Sequence, residues 1–164
     1  MNMSRLFHLP RWPSKGNRRK LEATWLDELE AHGTPDGILQ PPSESPVQLF
    51  EAVEQFNRGL YWECHETLEE VWLETPYPLR FFYHAIIKCA VGLHHANRHN
   101  RHGARVKLSD AVRLLSLFQP QFLGVRTDAL FSDISAWVER VECTDRVDWA
   151  VLDALPKPVI QIVD

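Results

Sequence analysis

No apolar run in this chain approaches the ~20 residues that a bilayer-spanning helix needs, so no helical membrane anchor is expected. Nor does an apolar signal-peptide core stand near the start. Cysteine is scarce: Cys64, Cys89 and Cys143 are an odd number at wide spacing. That excludes a disulfide framework and a C-x-x-C metal site. All three fall in apolar helical stretches, where a free cysteine acts as a small hydrophobe, and a reducing cytoplasm is the natural setting. A phosphate-binding glycine loop, a G-x-S-x-G nucleophile elbow and any named nucleic-acid module are also missing.

What is present is the composition of one ordinary soluble domain. The 164 residues are 45% hydrophobic and 24% charged, enough to bury a core without staples. Net charge is only −4, but the charge is segregated along the chain. Residues 1–20 carry +6, 21–74 carry −12, 75–126 carry +7 and 127–164 carry −5. One reading is an acidic layer of helices packed on a basic one. The other is a basic surface, formed by the arm or by Arg98, Arg101, Arg105 and Lys107, that recognises an anion such as RNA or a phosphorylated ligand.

Residues 1–17, with Pro10, Pro13 and Gly16, read as a loose basic arm. Hydrophobic periodicity then places helices at about 18–31, 46–58, 61–74, 78–98, 101–118 and 128–142. Ser45-Pro46 with Gln48 has the spacing of a capping box, and Thr127 stands as a cap before the last helix. Pro78 stands where the fourth helix opens, and that helix is apolar nearly all round, which predicts the buried centre. Residues 58–68 and 98–108 echo each other at a period of 40, each a tight turn feeding a helix, as in helical-hairpin repeats. The expected fold is therefore all-α: a single-domain bundle of about six helices, built from antiparallel hairpins. It spans residues 18–155, and 156–164 form an extended arm docked on it.

The third helix carries the chemistry. Tyr61, Cys64, His65, Leu68 and Trp72 share one face, with Glu69 on its border one turn beyond His65. On the fourth helix His84, Lys88, Val91 and His95 follow i, i+4, i+7 and i+11. If this narrow polar stripe faces His65 and Glu69, the two helices enclose a polar pocket. Otherwise the stripe is the solvent-facing edge of an apolar helix, and His65–Glu69 is a satisfied link between helices. Tyr61, His65, Glu69, Trp72, His84, Lys88 and His95 are the candidate ligand-binding residues, and His65 and Glu69 the candidate catalytic pair. The second histidine of H-E-x-x-H and the paired E-x-x-H motifs of di-iron bundles are absent, so neither metal nor cofactor is expected.

Phe56-Asn57-x-Gly59-x-Tyr61-x-Glu63-x-His65-Glu66-x-Leu68-Glu69-x-x-Trp72 resembles the signature of the prokaryotic domain of unknown function 309 family, whose hallmark is H-x-x-x-E-x-x-W. Asn100-x-x-Gly103-Ala104 is similar to that family's G-N-x-x-G-A turn, and the resemblance covers about residues 46–118. Two departures stand out: His99 where the family usually has glycine, and Lys88 where it has glutamine. The resemblance implies a compact helical bundle and no particular activity. Two classes of function remain. One is a non-catalytic binding or interaction domain, with a small anionic ligand, a protein partner, or nucleic acid on the basic arm. The other is a small metal-independent hydrolase with His65 as base oriented by Glu69.

Overall fold

The computed structural model describes residues 9–12, 17–33, 40–142 and 146–163. Cys143, Pro13, Gly16, Pro35 and most of the arm fall outside them. Among the described residues there are seven α-helices and no strand. They are α1 (Arg18–His32), α2 (Val47–Asn57), α3 (Tyr61–Glu74), α4 (Arg80–Asn97), α5 (Arg101–Leu115), α6 (Thr127–Glu142) and α7 (Trp149–Ala154), with a 3-10 turn, Ser116–Phe118, after α5.

Each of α2 to α5 packs on the next. Cross-helix pairs such as Trp62 with His94 and Trp72 with His84 run α3 against α4 in opposite directions. Lys88 with Asp110 and His95 with Gly103 do the same for α4 and α5. The helices form because their apolar residues recur at one-turn spacing. Leu49, Ala52, Val53 and Phe56 of α2 line one buried face, and Leu130, Ile134, Trp137 and Val141 of α6 another. α4 is the central helix, with Phe81, Phe82, Ile86, Cys89, Ala90 and Leu93 all fully buried. Its Gly92 lets α5 come close: a Cβ there would lie 2.5 Å from Leu108 Cδ2.

Several local expectations are corrected. The Ser45 capping box does not form: α2 starts at Val47 with Pro46 as its N-cap, and Ser45 Oγ donates to Leu123 O instead. Thr127 is not a cap: it lies inside α6, and its hydroxyl donates to Phe118 O at 2.5 Å. Pro78 sits in a turn before α4, which begins at Arg80. The short helix α7 was not expected. It has six residues, too few to show a period, and is capped by Asp148, whose Oδ1 accepts from Val151 N.

The described residues of the tail run extended over the bundle. Ile162 bridges Val125, and Val163 N donates to Gly124 O at 2.7 Å. Asn57 holds Ile160 from both sides, accepting from its N–H at 2.7 Å and donating to its carbonyl at 2.9 Å.

Candidate functional site

α4 is buried except along one edge, where His84, Lys88, Val91, His94 and His95 are partly exposed. The two alternatives for the polar stripe therefore merge: the solvent-facing edge of α4 is also the wall of a cleft. A cavity of about 270 Å³ lies there. From α3 it is lined by Trp62, His65, Glu69 and Trp72, from α4 by His84, Ile87, Lys88 and Val91, and from α5 by Lys107.

Five of the seven candidate ligand residues converge on this cavity: His65, Glu69, Trp72, His84 and Lys88. Tyr61 and His95 do not line it. Tyr61 is buried edge-on against Phe56, with ring centroids 5.3 Å apart, and burial beside Cys64 pushes its hydroxyl up to about 12. His95 packs under Gly103, where a Cβ would stand 2.7 Å from its ring, and its Nδ1 is 3.3 Å from Asn100 Nδ2. Both lie on the right helix faces, but a face is longer than a cleft.

Each polar group in the cavity has its own setting. His65 is mostly buried, its Nε2 3.7 Å from Glu69 Oε2, and Trp62 lies against it at 4.8 Å between ring centroids. His84 is held more closely: its Nδ1 is 3.2 Å from Glu22 Oε1 of α1. Burial pushes the His84 imidazole below its ordinary range, aided by the charges of Lys88 and Lys107 and opposed by Glu22. Burial raises the Glu22 carboxyl, but His84, Lys88 and Arg18 outweigh that and leave it below the usual carboxylate range. The Lys88 ammonium is bonded to Asp110 at 2.8 Å. Lys107 has no carboxylate partner among the described residues.

Trp72 anchors the far end. Its ring lies 5.0 Å from His84, with the guanidinium of Arg18 at 3.9 Å and that of the buried Arg80 at 4.3 Å, both cation–π distances. Trp72 Nε1 and His65 Nδ1 are buried with no hydrogen-bond partner among the described residues. Such atoms are uncommon in folded proteins.

The cavity walls offer no serine, threonine or cysteine. Cys64, inside the sequence motif, is buried, and burial pushes its thiol up to about 12, so it stays protonated. Among the described residues no group of three His, Cys, Asp or Glu side chains is placed to hold a metal ion. What this arrangement can do is bind: two indoles and two aliphatic side chains form walls, and cations and imidazoles supply polar contacts.

With the H-x-x-x-E-x-x-W residues on one cavity wall, the comparison with known proteins becomes informative. Residues 49–106 match the family described as "Domain of unknown function (DUF309)". That segment contains every cavity-lining residue except Lys107, which follows it directly. The chain is also similar to a curated relative, "Uncharacterized protein YpuF" of Bacillus subtilis (strain 168), at 43% identity over 56 residues. The match covers 34% of this chain and 32% of the relative, so the chain spans about a third of that protein's length. No solved structure matches.

Sequence reasoning missed Trp62, Lys107 and Glu22. Trp62 stands one turn before His65 and was within reach of the periodicity. Lys107 was legible only as part of a basic block. Glu22 is far from the motif in sequence, and only the acidic character of 21–74 against the basic character of 75–126 hinted at it.

Proposed function

We propose that this protein is a non-catalytic small-molecule-binding domain whose ligand sits in the cleft between α3, α4 and α5. The observation that supports this is the meeting of both polar stripes on one cavity, with aromatic walls and no hydroxyl or thiol side chain in the lining. The hydrolase reading has less support. Its base would be His65 oriented by Glu69, yet their 3.7 Å separation is longer than a hydrogen bond. A protein partner is a further reading, favoured by the exposed Trp62 at the mouth of the cleft. The unpaired, buried thiols of Cys64 and Cys89 support a cytoplasmic setting. No helix among the described residues is long and apolar enough to cross a membrane.

The test is a fragment screen by ligand-observed NMR on the wild-type chain and on Val91→Phe. Val91 is a partly buried wall residue, and the larger ring fills the cavity. Hits on the wild type that vanish in a folded Val91→Phe would support the reading. Hits that persist unchanged, or none at all on the wild type, would sink it.

A further inference from the structure

Lys107 and His84, like the buried His65 Nδ1 and Trp72 Nε1, are cavity groups whose bonding is incomplete. The charge of Lys88 is taken up by Asp110, but that of Lys107 is not matched by a carboxylate among the described residues. Glu69, the one carboxylate on the wall, lies half-exposed beside His65. With Lys88 paired to Asp110, Lys107 is the ammonium of the lining that has no carboxylate within ion-pair distance among the described residues.

His84 is more informative, because its two nitrogens stand in different settings. Glu22 Oε1 stands at ion-pair distance, 3.2 Å, from Nδ1, and an ionised carboxylate can only accept, so it favours the proton on Nδ1. Burial favours the neutral ring. A neutral imidazole protonated on Nδ1 has a bare, accepting Nε2. His84 lines the cavity and Glu22 does not, and His84 Nε2 has no hydrogen-bond partner among the described residues. Beside Lys107 and His84 the lining has four apolar or aromatic side chains, Trp62, Trp72, Ile87 and Val91, and three polar ones, His65, Glu69 and Lys88. The volume of about 270 Å³ is near the lower end of ligand pockets, which suits a metabolite-sized molecule.

We propose that the cleft takes a small organic anion with a flat apolar body and a hydrogen-bond donor. The anionic group pairs with Lys107, the donor meets Nε2 of His84, and Glu22 is the positioning residue that keeps His84 in this form. The proposal rests on the cleft being a ligand site, as argued above. It adds the chemical class of the ligand, and it brings in a residue of α1 that lies outside the matched family segment.

The experiment is a two-dimensional NMR titration of the full chain with three probes: 4-hydroxybenzoate, benzoate and phenol. The readouts are the indole signals of Trp62 and Trp72 and the imidazole nitrogen shifts of His84. In the wild type, His84 should show its proton on Nδ1, and 4-hydroxybenzoate should bind about tenfold tighter than either other probe, the worth of one good polar contact. In Lys107→Met, 4-hydroxybenzoate should fall to the level of phenol. In Glu22→Met, benzoate binding should persist, the advantage of 4-hydroxybenzoate should disappear, and the His84 nitrogen shifts should leave the Nδ1–H pattern. Phenol binding as tightly as 4-hydroxybenzoate would overturn the anion assignment while leaving the cleft a ligand site. A wild-type His84 protonated on Nε2 would overturn the role of Glu22. No indole shift with any probe would overturn the ligand class, and the fragment screen with Val91→Phe then separates that failure from failure of the site itself.

Discussion

Asn57 belongs to the sequence motif but not to the cavity. Its amide closes two hydrogen bonds on the main chain of Ile160, which is buried against the core. Asn57→Ala leaves a buried N–H and carbonyl unsatisfied, and such groups cost about 1–3 kcal/mol. Urea unfolding should show a loss of that size, with faster amide exchange in 158–163 and no change at the cavity. His84 makes a different prediction. Its folded value lies below the ordinary 6.5, so the unfolded chain binds the proton more readily. Stability conferred by neutral His84 is complete above 6.5 and is lost as pH falls toward the folded value. Unfolding free energies measured from pH 7.5 down to 5 should decline, and His84→Gln should flatten the slope. At this scale the spacing of His65, Glu69 and Trp72 was readable because a helix sets it. The Glu22–His84 pair was not, because nothing local joins α1 to α4.

At the scale of elements, the 40-residue echo proves to be a repeat of turn geometry. Arg58 and Arg98 are the C-caps of α2 and α4, Gly59 and His99 are left-handed, and α3 and α5 begin two residues later. Leu68 and Leu108 are both fully buried. The left-handed φ of 56° at His99 explains why glycine suits this position. A non-glycine residue there costs about 1–2 kcal/mol. His99 offsets this by stacking on Trp149 at 4.8 Å and placing Nε2 2.9 Å from Asp153 Oδ2, which ties α7 to the hairpin. His99→Gly should leave the melting of the bundle unchanged or slightly raised and should speed amide exchange in 149–154. Unchanged protection of α7 would show that this contact does not hold it. Gly92 is the opposite case, a close approach with no unusual φ. Gly92→Ala forces a Cβ into Leu108 and should cost roughly 1–3 kcal/mol by denaturant unfolding.

At the scale of the molecule, the charge blocks find each other where α1 meets the later helices. Arg113 of α5 forms a two-pronged pair with Glu30 and lies 3.9 Å from Asp27, while Glu22 reaches His84. Trp25, Leu26 and Leu29 bury the apolar face of α1, and Trp25 Nε1 donates to Pro10 O at 2.7 Å. Because the Arg113 pair is half-exposed, Arg113→Gln should cost about 1 kcal/mol or less. Amide exchange should quicken in 18–32 and stay unchanged in 47–118. High salt should reproduce the effect in the wild type and add little in the variant.

The helices, their central member and the motif face could be read from the sequence because they depend on spacing along one helix, where 3.6 residues per turn decides which side chains are neighbours. The caps were misread at Ser45 and Thr127, where side chains bond distant carbonyls of Leu123 and Phe118 instead of their own helix ends. The cavity belongs to the tertiary structure alone. Which stretch of the α3 and α4 faces opens into a cleft depends on how close the helices approach. Gly103 seats His95 against α5, removing it from the site, while Lys107 enters from the same helix. Glu22 enters only because the apolar face of α1 docks there, an outcome of packing that no local pattern encodes.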